Sequence, residues 1–183
     1  MVGAIASQGT VCRTARAHKT GQDMKRAMRL RETVSGLDVA ASLLDDLAPE
    51  NAGFLWDYLA GTREVPAIHA MWTGPEISAP IPLAQIDQSR RGRALPLEHA
   101  TIQPQAGDVV LSWLAPRVWG GGPDPVFDLG LFYAPGGRTL FPIGWVPGSV
   151  VARVDAAFLP AVAAACGRIR QRGACTLILE RAG

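Results

Sequence analysis

Glycine and proline interrupt this chain too often for long helices to dominate it: 20 Gly and 14 Pro are spread through 183 residues. Each marks a place where the backbone turns or a ladder hydrogen bond is lost, so the apolar segments between them are short. Segments of that length favour strands. Hydrophobic residues make up 48% of the chain and charged ones 19%, enough for one substantial core, and the length suits a single domain.

The pattern along the chain assigns the pieces. Residues 1–24 carry Ser, Gly, Thr and scattered basic side chains without a hydrophobic period and read as a flexible N-terminal tail, either a solvated arm or an anion contact. Residues 25–183 read as the folded domain. Met28 to Val34 and Val39 to Leu44 predict two strands joined by a turn at Ser35-Gly36. Pro49 opens a helix in which Phe54, Leu55, Tyr58 and Leu59 share one face, with Gly61 as its stop. Val65 to Met71 is strand-like. Ile77 to Leu83 alternates apolar residues but contains Pro80 and Pro82, which predicts a non-central strand.

Gln88 to Arg93 reads as a polar loop, Val109 to Leu114 and Phe127 to Tyr133 as buried strands, and Trp119 to Pro125 as a flexible loop of the kind that covers sites. Leu140-Phe141 and Val150 to Val154 add strand material. Ala156 to Arg172 is a helix stopped by Gly173, and Thr176 to Leu179 a last strand. Many short strands with two helices predict a mainly β fold, a closed or half-closed β-barrel, since closure removes exposed strand edges.

Composition narrows the function. A formal net charge of +2 argues against a nucleic-acid partner. Three cysteines without CxxC or Cys/His spacing support neither a disulfide framework nor a metal site, and point to a reducing cytoplasm. No apolar run reaches the ~20 residues of a membrane span. Gly120-Gly121-Gly122 lacks the Lys-Ser/Thr of a phosphate loop, and no nucleophile elbow is present. No cofactor is expected.

Ala48-Pro49-Glu50-Asn51 leading a helix with Phe54 resembles the Ala-Pro-x-Asn-x-x-x-Phe helix that opens the cyclophilin-like barrel. His69-Ala70-Met71-Trp72-Thr73-Gly74, Gly107-Asp108, Gly130-Leu131-Phe132-Tyr133 and Pro147 to Ala152 follow in the order of a small bacterial cyclophilin-like family catalogued as a domain of unknown function. The resemblance covers about Ala27 to Val154 and implies a cyclophilin-like closed β-barrel. Cyclophilins carry an Arg beside the His of the equivalent strand, and here Ala70 stands there, which speaks against proline isomerisation. The group also resembles cucumopine synthase and bacterial Pictet–Spengler enzymes. That likeness implies a cofactor-free condensation of a tryptophan-like amino acid with an aldehyde or 2-oxo acid in bacterial alkaloid or antibiotic biosynthesis.

Such a reaction needs an acid, a base and a surface that holds a flat arene. Glu76, after the Gly74-Pro75 turn and near Trp72, is the first candidate base, with a solvated loop carboxylate as the alternative. Asp128 lies inside an apolar strand, where an unpaired carboxylate is costly, so it has a role or a structural partner. His69 reads as a proton shuttle or a core histidine, and Glu98-His99 as a second acid–base pair. Trp72, Trp119, Phe132, Tyr133 and Trp145 offer an aromatic slot at a barrel mouth, though some must be core. Arg138 offers a clamp for an anionic group or is a surface residue at its turn. The partners expected are small-molecule substrates, with a homodimer left open. Rival readings are a binding module without turnover and a residual isomerase.

Overall fold

The computed structural model describes residues 25–182, and the N-terminal tail lies outside them. Strands β1 (Ala27–Glu32) and β2 (Leu37–Leu43) form the expected hairpin, with Gly36 at a φ of 69° that suits glycine. β1 stops two residues before Val34 because the Glu32 carboxylate folds over the turn. It accepts hydrogen bonds from the N–H groups of Ser35 (2.6 Å) and Val34 (3.2 Å).

Helix α1 (Pro49–Tyr58) follows, then β3 (Arg63–His69), β4 (Glu76–Pro80) and a short helix α2 (Gln88–Arg91). The polar stretch from Gln88 therefore contains a helical turn rather than a plain loop, because the Asp87 carboxylate accepts from the Ser89 N–H at 2.9 Å and caps it. Next come β5 (Ala100–Thr101), β6 (Asp108–Leu114), β7 (Val126–Phe132), the ribbon of β8 (Leu140–Phe141) and β9 (Gly144–Trp145), and β10 (Gly148–Val154). Helix α3 (Leu159–Arg172), ended by Gly173, leads into β11 (Ala174–Ala182).

The strands pair antiparallel in the order β2-β1-β11-β3-β4-β7-β6-β10, and β10 pairs again with β2, closing an eight-stranded barrel of cyclophilin-like type. β4 is central, bonded to β3 and β7, although it ends in proline. Ile81 donates its N–H to Phe127 O at 2.8 Å, so the Pro80 nitrogen faces the β3 side, where pairing has already stopped at Ser78. The missing donor thus costs nothing there.

Side-chain alternation sorts the wall into two faces. Ile77, Leu131 and Val109 lie in register and join the interior core with Leu30, Val65 and Leu179. Phe54 and Leu55 of α1, and Val162, Ala165 and Ile169 of α3, belong to the same core, so the helices cover the barrel's openings. Phe54 stacks on Phe127 with ring centroids 5.2 Å apart. The opposite, outer face of β4 and β7 carries Glu76, Ser78, Asp128 and Gly130. No helix among the described residues is long and apolar enough to cross a membrane.

Candidate functional site

The outer face of β4 and β7 brings two carboxylates under cover. Ser78 lies opposite Gly130 and Pro80 opposite Asp128, so Glu76, Ser78 and Asp128 share one surface of the wall. Ser78 Oγ donates to Asp128 Oδ1 at 2.8 Å, and Thr73 Oγ1 lies in short contact with Glu76 Oε2. Glu76 is 3% exposed and Asp128 6%. Gly130 makes room for Glu76: a Cβ there would overlap Glu76 Oε1 and stand 3.0 Å from its Cδ. Burial pushes the Glu76 carboxyl up to about 8, the nearby Asp128 adds to that, and Thr73 opposes it. Burial likewise pushes Asp128 up to about 6, against the Ser78 hydrogen bond. Burial thus moves both carboxyls towards the range in which a carboxyl can give or take a proton near neutrality.

Three rings stand over this pair. Trp72 comes from the loop after β3, Trp119 from the loop after β6 and Phe141 from β8. Trp72 and Trp119 meet edge to face at 6.4 Å, and Trp119 and Phe141 at 5.8 Å. Together with Pro80, Leu114 and Val126 they enclose about 180 Å³ with both carboxylates at its inner wall. The loop bearing Trp72 and Thr73 is pinned by its backbone: Ala70 N–H donates to Glu76 O and Arg138 N–H to Thr73 O, each at 3.0 Å. Gly74, at φ 91°, passes so near the next loop that a Cβ would lie 2.9 Å from Gly136 O.

Residues 31–180 match the family described as a protein of unknown function, DUF3830. The chain belongs to that family. Among solved structures it is similar to McbB in complex with tryptophan, with a TM-score of 0.58 and 20% identity, over 85% of this chain and 45% of that one. It therefore spans less than half of the McbB chain, and the likeness is one of fold. The solution structure of the hypothetical protein AF2241 from Archaeoglobus fulgidus aligns at a TM-score of 0.45 and 17% identity, over 86% and 95% of the two chains. No curated protein matches the chain in sequence.

Within this family member, Glu76, Asp128, Trp72 and Trp119 come together, on the barrel's outer wall and not at a barrel mouth. His69 does not join them. It lies opposite Ile77 in the β3–β4 register, hence on the inner face, and its Nε2 is 2.8 Å from the Tyr133 hydroxyl. His69 lines a separate cleft with Arg170, and burial, then the Arg170 charge, lowers the His69 pKa. Phe132 is fully buried between Val110 and Val150, where Gly137 leaves space for its ring. Arg138 and Trp145 are exposed and do not line the cavity.

Glu98 is no acid–base partner of His99. Its carboxylate accepts from the N–H groups of Asn51 (2.9 Å) and Glu50 (3.2 Å) and from Asn51 Nδ2 (2.8 Å), capping α1 in place of Ala48, which has no capping side chain. Burial raises its pKa, but these hydrogen bonds outweigh that and hold it low. Asn51 of the Ala-Pro-x-Asn motif also donates to Pro96 O at 2.9 Å, so here it anchors a loop. Sequence reasoning missed Thr73, Ser78, Gly130 and Phe141 as parts of the site. Ser78 was accessible in principle, two residues from Glu76 and so on its face of a strand. Among the described residues no group of three or more His, Cys, Asp or Glu is arranged to hold a metal ion.

Proposed function

We propose that the outer-wall cavity is the active site of a cofactor-free Pictet–Spengler-type enzyme, which condenses a tryptophan-like aromatic amine with an aldehyde or 2-oxo acid. The observation that carries the reading is a pair of buried carboxylates lining one cavity beneath three aromatic rings. The amine nitrogen attacks the carbonyl carbon, and the protonated carboxyl gives its proton to the departing water as the iminium forms. The ring carbon then bonds to the iminium carbon, and a carboxylate takes the ring proton as aromaticity returns. The pair ends with the proton count it began with. Glu76 or Asp128 serves as the base, while Trp72, Trp119 and Phe141 hold the arene flat against it.

Two expected helpers play no part in this reading. His69 lies on the opposite face of the wall and lines a separate cleft, and Arg138 lies outside the cavity. Ala70 lines the cavity where an isomerase would present an Arg, and no arginine lines it among the described residues. One observation favours a second reading, ligand binding without turnover. The enclosed space of about 180 Å³ is below the ~300 Å³ at which pockets for whole ligands begin, so it covers one ring and leaves the other reactant at its open side.

Incubating the protein with aromatic amines and a panel of aldehydes and 2-oxo acids, with mass spectrometry for condensed product, tests the proposal. Product above the uncatalysed background is expected for at least one pair. Ligand-induced thermal stabilisation with no product across the panel points to the binding module instead.

A further inference from the structure

The charge of the cavity constrains its ligand further than its shape does. Its polar lining consists of Glu76, Asp128, Thr73 and Ser78, and no Lys, Arg or His among the described residues contributes to it. A substrate bearing a carboxylate would bring another negative group beside a buried carboxylate pair with no cation to answer it. In so shielded a place like charges repel strongly, and a buried charge without a partner is costly. The basic residues nearest the lining in sequence do not reach it: His69 lies on the inner face of β3, Arg117, two residues before Trp119, is exposed, and Arg138 meets the Thr73 carbonyl through its backbone N–H with its side chain in solvent.

A positively charged amine meets the opposite situation. Its ammonium satisfies the carboxylates, and the three rings of the lining, Trp72, Trp119 and Phe141, are of the kind that attract organic cations. The apolar remainder of the lining, Pro80, Leu114 and Val126, suits an aromatic ring.

We infer that this cavity selects an arylalkylamine cation without a carboxylate, the decarboxylated counterpart of an aromatic amino acid. The inference rests on the cavity being the amine site. It implies that an amino-acid decarboxylation supplies the substrate.

Calorimetric titration of the full chain with tryptamine, tryptophan and indole-3-acetate tests the selection separately from turnover. Tryptamine is expected to bind at least about tenfold tighter than tryptophan, with indole-3-acetate weakest. In E76Q/D128N the preference should fall to within about threefold, and in W119A all binding should weaken while the order persists. If the double variant does not fold, D128N alone is expected to reduce the preference. Equal or tighter binding of tryptophan, a preference unchanged in the carboxylate variants, or no binding of any of the three overturns the inference. Tryptamine binding without condensed product counts against the proposed reaction and leaves the selection standing. Product from tryptophan but not from tryptamine does the reverse.

Discussion

Glu76 shows how one side chain draws its chemistry from what its neighbours lack. Gly130, opposite Ser78, has no Cβ, and the Glu76 carboxyl occupies that space. Gly130→Ala should therefore displace the carboxyl, costing about 1–3 kcal/mol by overpacking, and lower ligand affinity as well. Thermal melts alongside calorimetry check both effects. The carboxylate pair also sets a pH dependence. Both folded pKa values lie above the unfolded carboxylate values, so the native state binds more protons than the unfolded chain between about pH 4 and 8. Their contribution is full below that window and lost as pH rises through it, with a slope of up to about 1.4 kcal/mol per pH unit for each proton. Urea unfolding at pH 5.5 and pH 8 should show the decline, and Glu76→Gln should flatten it and raise stability at pH 8.

At the scale of elements, the motif at the start of α1 was readable as a helix opening, but its partner was not. Pro49 fits the first turn, yet the cap comes from Glu98, 47 residues beyond Asn51. Glu98→Ala should cost about 1–2 kcal/mol by leaving those N–H groups unpaired. Because Glu98 does not line the cavity, ligand affinity should be unchanged, a combination that thermal melts and calorimetry together reveal. The separation of His69 from Glu76 has a similar origin. His69 is close to Glu76 in sequence, but the chain reverses between them, and pairing of His69 with Ile77 puts the two side chains on opposite faces of the wall. A one-residue offset in register decides this, and register across a loop is not written locally. Pro80 misled for the same reason: its nitrogen falls where the β3 ladder has ended.

For the whole molecule, turn density and short apolar runs were enough to predict a closed or half-closed barrel with helical caps, and the cyclophilin-like resemblance implied its closure. They did not indicate which side of the wall the site would use. The interior is filled by packed side chains such as Ile77, Leu131 and Phe127, and the candidate site lies on the outer face, roofed by loops from three parts of the chain. Asp128 was legible as a carboxylate inside an apolar strand, and Glu76 by its place after the Gly74-Pro75 turn near Trp72. Phe141 was not, since its strand is only two residues long and its place depends on the assembled loops. The most direct measurement is the initial rate of condensed-product formation, followed by mass spectrometry, for the best amine and carbonyl pair. Wild-type protein is compared with Glu76→Gln and Asp128→Asn of confirmed fold. A fall of about 100-fold or more in at least one variant, with folding retained, is the predicted result, in line with loss of a general acid–base group; rates within twofold of wild type in both would contradict the account.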